Sequence, residues 1–242
     1  MVRRFTQASS EYITFGLGSC NIDCDGITIA TIAKKVTDGS WQTIITGQTS
    51  GALNRFQMQF TDVNTLFMGA ANGDDSGSGG IAAALADGWC LYVVSKDTGT
   101  VQPRMHKFVY STKTWTHATQ GTAFTNGTAP GVGGSIKIGR NDEFGEYANA
   151  DVAVVGVWDS FLTDAQVELL AQSIRNWSTL TPTGLWIFNQ PDVTTTVKDY
   201  TGNGADQTAR TGTTANDVVV PFSVRSISNN LRPSVFVPGI GR

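Results

Sequence analysis

Three cysteines in 242 residues leave little to staple. Cys20, Cys24 and Cys90 are odd in number, and a C-x3-C spacing matches neither the common zinc sites nor a thioredoxin-like motif. Reduced thiols are the expectation, with a bridge from Cys20 or Cys24 to Cys90 as the alternative. Charge is also sparse, at 15% of residues with a net charge of −3 and no basic run, which excludes general affinity for a phosphate backbone. No stretch approaches the ~18 apolar residues of a membrane span. The start "MVRRFTQASSEYITF" has two arginines but no apolar core, so no Sec signal is expected. The chain is expected to be made in the cytoplasm and, if it works outside, to leave by another route.

Catalytic motifs are equally scarce. A glucanase on a β-sandwich needs paired carboxylates projecting from one strand face, at spacings of i, i+2 and i+4. The nearest set, Asp142, Glu143 and Glu146 in "NDEFGEY", is oddly spaced around Gly145 and reads as a solvated loop. Asp23 and Asp25 sit in an expected turn. The two histidines, His106 in "RMHKF" and His117 in "TWTHA", accompany no G-x-S-x-G elbow. "GNGADQ" and "GVGGSI" lack the Lys-Ser/Thr of a phosphate loop. No cofactor is expected. Calcium is the one ion to weigh, on Asp74, Asp75, Asp142 and Glu143, because it takes loop oxygens.

What the chain has is glycine, 27 residues of it, and short apolar runs between turn signals. "GITIATIAKK" (26–35), "WQTIITGQ" (41–48), "GWCLYVVSK" (88–96) and "VAVVGVW" (152–158) are among them. In "RFQMQF" (55–60), Phe56, Met58 and Phe60 fall on one face and Arg55, Gln57 and Gln59 on the other, the period of a half-solvated antiparallel strand. A single amphipathic helix is expected near residues 163–177. Thr163 and Gln166 form a capping-box pattern, and Val167, Leu170, Ile174 and Trp177 make its apolar stripe. The fold class is therefore all-β, a two-sheet antiparallel sandwich carrying one helix, over residues 1–225. Residues 226–242 form an apolar, proline-containing C-terminal arm. Its Leu231, Arg232, Val235, Phe236, Val237 and Ile240 are candidates for clamping a partner chain or the protein's own body.

Several stretches resemble laminin-G-like, concanavalin A-like jelly-roll modules. A strand ending in Trp158-Asp159 is followed by "LTDAQ" at a helix start, and "GGSIKIGRNDEFGEYANADVAVVGVWD" (133–159) looks like the strand pair preceding it. "RRFTQASSEYITF" (3–15) is similar to the module's opening, and "GWCLYVVSKDTGTVQPRMHKFVYSTKTW" (88–115) to its central pair. "GLWIFNQPDVTTTVKDYTGNG" (184–204) resembles a segment that often opens such modules, yet here it follows the helix. A permuted order is tolerable because the termini of compact domains lie close together. Such modules with this kind of N-terminus resemble accessory proteins of tailed bacteriophages.

The resemblance implies a non-enzymatic virion structural protein, most simply a capsid decoration or minor capsid protein. Its partners would be the major capsid protein, other virion proteins or a second copy. The alternative is a tail-associated adhesin binding cell-surface glycan; a glycoside hydrolase stands behind both. For a glycan, the candidates are Trp115 and Tyr147 as aromatic platforms beside Asn141 and Asp142. Trp158 and Trp186 read as core.

Overall fold

The computed structural model describes residues 2–18, 21–22, 25–51, 54–70, 80–121, 123, 133–188, 196–211 and 214–216. The arm over 226–242, with Leu231, Arg232, Val235, Phe236, Val237 and Ile240, lies outside the described residues, as do Cys20, Cys24, Asp74 and Asp75. The strands in chain order begin with β1 (Val2–Phe5), β2 (Tyr12–Gly16), β3 (Ile27–Lys35), β4 (Gln42–Gln48) and β5 (Asn54–Phe60). Then come β6 (Leu66–Ala70), β7 (Trp89–Lys96), β8 (Arg104–Val109), β9 (Thr114–Thr119) and β10 (Ser135–Ile138). The last are β11 (Arg140–Asn141), β12 (Glu146–Tyr147), β13 (Ala150–Trp158), β14 (Gly184–Ile187), β15 (Gln207–Thr211) and β16 (Thr214–Asn216).

One sheet runs β16-β1-β13-β3-β7-β8-β9 with β14 also on β13; the other runs β15-β2-β10-β4-β5-β6. We call them the first and second sheets. Their inward side chains form one core in which Phe15 meets Trp186 at 5.0 Å and Phe60 meets Tyr92 at 4.9 Å. Cys90 is buried there as a free thiol, and burial pushes its pKa up to about 11, so it is inert while folded.

β13 is buried along its whole length. Val152, Val155 and Val157 enter the inter-sheet core, whereas Ala153, Val154 and Trp158 face outward. A bulge against β3 between Val152 and Val154 makes that change of phase. The outward residues need a cover, and the segment after the strand supplies it. Helix α1 spans Asp164–Gln172 and α2 spans Ile174–Thr179. The capping box expected from the sequence forms: Gln166 N–H donates to the Thr163 hydroxyl at 3.4 Å, and Thr163 N–H donates to Gln166 Oε1 at 2.9 Å.

The single helix expected over 163–177 is instead two. Ser173 is extended (φ −160, ψ 138) and its hydroxyl accepts the Arg175 N–H at 3.1 Å, starting a second turn of helix. The break lets both halves of the apolar stripe reach the sheet. Trp177 lies 5.7 Å from Trp158, and its indole N–H donates to the Leu170 carbonyl at 3.0 Å. Val167, Leu170 and Ile174 each contribute roughly 1.5–3 kcal/mol by leaving water. Gly156 is required beneath them, since a Cβ there would press on the Trp158 and Trp177 rings.

Further expectations change. Trp115 and His117 sit on strand β9, and "NDEFGEY" is the β11–β12 hairpin rather than an open loop. The segment "TGTTAND" (211–217) contributes the end of β15 and all of β16. Gln57 and Gln59 are only 3% and 2% exposed, because that hairpin covers the outward face of β5 that the alternation marked as solvated.

One charged contact ties the N-terminus to β13. Arg4 gives Asp151 a two-pronged bond, Nε to Oδ1 at 2.8 Å and Nη2 to Oδ2 at 2.7 Å. The Asp151 side chain is 1% exposed and that of Arg4 is 36% exposed. The two ends are unequal, because the buried carboxylate loses more than the half-exposed guanidinium when the contact is cut. Arg4→Met should therefore destabilise the chain by about 1–2 kcal/mol, and Asp151→Asn by less, as read from urea unfolding midpoints at pH 7.

Candidate functional site

Among the described residues, no helix lies over the outward face of the second sheet. Alternation along β5 turns Gln57 and Gln59 to this face, and on β6 it turns Phe67 and Gly69 outward. Gly69 has to be bare, since a Cβ would collide with the Gln57 side chain lying across it. The β11–β12 hairpin folds over β4 and brings Glu146 to the two glutamines. The Glu146 carboxylate oxygen Oε2 accepts from Gln59 Nε2, from the Thr43 hydroxyl at 3.3 Å and from Asn141 Nδ2 at 3.3 Å. Asn141 also donates to Gln57 Oε1 at 3.1 Å.

The result is a groove of about 190 Å³ lined by Trp41, Gln57, Gln59, Phe67, Phe144 and Glu146. Its floor is polar and hydrogen-bonded; its walls are aromatic. Trp41 stands edge-on to Phe67 at 5.8 Å and remains 36% exposed, while Phe144 at the hairpin tip is 56% exposed. Exposed aromatics beside buried amides and a carboxylate make a surface that can stack on a ring and exchange hydrogen bonds with its substituents.

The hairpin is held from below. Asn141 Oδ1 accepts the N–H groups of Glu143 (3.0 Å) and Phe144 (3.3 Å), which shapes the turn carrying Phe144. The Arg140 guanidinium lies over Tyr12 at 4.6 Å and Tyr147 at 5.3 Å. Asp142 is ion-paired with both Lys137 and Arg140. Gly139, with φ +91, is where the chain leaves β10 for the hairpin; a side chain there would strike the Phe5 ring.

Of the residues picked from the sequence, Asn141, Asp142 and Tyr147 come together on this hairpin. Asn141 is buried and positions the groove, and Tyr147 is occupied by Arg140. Trp115 does not join them. It lies on the outward face of the first sheet, 5.0 Å from Phe108 and stacked on His117. Trp41, Gln57, Gln59, Phe67, Phe144 and Glu146 went unselected. Asp142 does not fit calcium as built, since two cations already claim its carboxylate. Among the described residues no group of three or more His, Cys, Asp or Glu is placed to hold a metal.

No family model matches the chain, and no curated protein does. Among solved structures, a candidate carbohydrate-binding protein from Bacteroides ovatus ATCC 8483 superposes with a TM-score of 0.57 at 16% identity. The match covers 90% of this chain but 60% of that one, so the chain spans less than two thirds of that protein's length. The heptameric SAP-like pentraxin of Limulus polyphemus gives 0.46 at 19% identity over 70% of this chain and 81% of its own. Tailspike protein 2 of Escherichia coli O157:H7 bacteriophage CAB120 gives 0.46 at 12% identity over 77% and 26%. The fold is the antiparallel jelly-roll sandwich, concanavalin A-like, that the sequence resemblance implied.

Away from the groove, the first sheet pairs two histidines. His106 on β8 and His117 on β9 meet Nδ1 to Nδ1 at 2.8 Å, so one ring donates and the other accepts. Burial pushes the pKa of His106 down from 6.5 to about 4; Asp164 opposes the shift, while His117 and Arg104 add to it. The unfolded chain thus takes up a proton that the folded chain refuses between pH 6.5 and about 4. Stability from this group is complete above the upper value and falls with pH through the window, by roughly 3 kcal/mol at its foot. Urea unfolding from pH 7 to pH 4 should show that loss, and His106→Asn should flatten the curve relative to the parent.

Proposed function

We propose that this chain is a glycan-binding β-sandwich, a binding protein rather than a hydrolase, and that its ligand lies in the groove on the second sheet. The observation that carries the reading is the convergence there of exposed Trp41 and Phe144 with the polar floor of Gln57, Gln59 and Glu146. The Bacteroides ovatus protein of the same fold bears a carbohydrate-binding description, which agrees with it. Against turnover, Glu146 is the single carboxylate among the described residues lining the groove, whereas glycosidases of the usual mechanism need two.

Display on a virion rests on the sequence resemblance. A receptor site on the body of the sandwich favours the tail-adhesin version. The capsid-decoration version depends on a clamp by residues 226–242, which are outside the described residues.

The carboxylate on the floor sets a preference. A ligand carboxylate brought beside Glu146 in a partly desolvated groove meets like charge, so neutral glycans should outrank sialylated or uronate-containing ones. On a glycan array the full chain should bind neutral structures, and Trp41→Ala should weaken them about tenfold. Glu146→Gln should narrow the gap between neutral and acidic glycans. Binding to no glycan above background would sink the reading.

A further inference from the structure

A second cavity, of about 560 Å³, lies on the opposite side of the molecule from the groove. Its floor is Leu185, which packs with the helices on the outward face of the first sheet, and Tyr200 forms a half-buried aromatic wall. The rim carries hydroxyls of Ser178, Thr181, Thr183 and Thr201 and the amide of Asn203. No charged side chain is among the described residues that line it.

Both banks are fixed before any ligand arrives. On one side, Asp199 Oδ1 accepts the N–H groups of Leu185 (3.1 Å) and Thr201 (3.0 Å), and its Oδ2 accepts the Thr201 hydroxyl at 2.7 Å. Thr201 Oγ1 in turn accepts the Asn203 N–H at 3.1 Å. Asn203 Nδ2 reaches across to the Thr183 carbonyl at 2.8 Å, joining this turn to the other bank. There Thr181, at φ +50, closes the end of α2 through its N–H to the Ser178 carbonyl at 3.2 Å, and Pro182 stiffens the step into β14. A cavity held open by its own hydrogen bonds loses little freedom when it binds.

We propose that this cavity is a second saccharide site, taking a neutral pyranose. The absence of charge along its lining gives no partner to an anion or a cation. Hydroxyls and one amide around an apolar floor and an aromatic wall match a ring that is polar at its edge and apolar on its C–H face. The volume falls in the range of about 300–1,000 Å³ that holds small ligands. Because the two sites sit on opposite faces of the sandwich, one chain can hold two glycan strands at once. This second site does not depend on the groove.

Titration calorimetry and saturation-transfer NMR on the full chain would test it, with cellotetraose, maltotetraose, laminaritetraose and chitotetraose as probes. Ser178→Trp should fill the cavity, and Tyr200→Ala, checked by its melting curve, should remove the wall. With Trp41→Ala as background, one probe should still bind, and adding either variant should weaken it about tenfold or more. In the parent, two saccharides per chain should fall to one with Ser178→Trp. One saccharide lost with Ser178→Trp and kept with Trp41→Ala would support this site and overturn the groove. One saccharide lost with Trp41→Ala and untouched by both cavity variants would overturn it, as would binding of none of the four probes.

Discussion

The structure depends on keeping β13 dry on both faces. Its inward valines complete a core shared with the second sheet, and its bulge turns Ala153, Val154 and Trp158 the other way. A strand that apolar on its outer side cannot face water in a stable monomeric sandwich. The chain therefore spends residues 163–180 on a cover, and the fit is tight enough that Gly156 cannot carry a side chain under the two tryptophans. Breaking the helix at Ser173 is part of that fit. A straight helix would carry its stripe along one line, whereas the break lets Val167 and Leu170 of α1 and Ile174 and Trp177 of α2 all join the one cluster over β13.

The two faces of the sandwich are consequently asymmetric. Helices occupy the outward side of the first sheet, and among the described residues the short β11–β12 hairpin is what covers part of the second. Partial cover is what creates the groove. It removes water from Gln57, Gln59 and Asn141, so their amides must satisfy one another and Glu146, yet it leaves Trp41 and Phe144 at the rim. The hairpin keeps its position through charge as well as buried hydrogen bonds: Arg140 between two tyrosines, and Asp142 between Arg140 and Lys137. The residues that look functional in the sequence because they are polar and clustered are, in the fold, the hairpin's supports.

That distinction explains what was legible. The inward alternation of Phe56, Met58 and Phe60, the unbroken apolar run of β13 and the Thr163–Gln166 cap are local patterns, and each appears in the structure, although the opposite face of β5 is covered rather than solvated. The groove is not local. Trp41 comes from the approach to β4, Gln57 and Gln59 from β5, Phe67 from β6, and Phe144 and Glu146 from a hairpin far along the chain. No spacing in the sequence links them; the strand order β10-β4-β5-β6 does. A usable signal was present in Gln57 and Gln59, because two glutamines alternating with large core residues are unusual company for a merely solvated face. Trp115 stands apart from this set: on β9 its flanking threonines frame an indole packed against Phe108.

The second cavity follows from the same asymmetry. The segment resembling a module opening, residues 184–204, enters after the helices and not before β1, so β14 is added beside β13 and its Asp199 turn abuts the end of α2. In a chain where that segment came first, nothing in the connection would oblige the turn to meet a helix terminus. Here the order forces Thr181 and Pro182 to reverse the chain directly into β14. The gap between that reversal and the Asp199–Asn203 turn follows from this direct connection. The polar residues that line it come from the two turns, and their charge-free character contrasts with the groove, where a carboxylate is built into the floor. Two sites of different electrostatics on opposite faces would give one sandwich two selectivities.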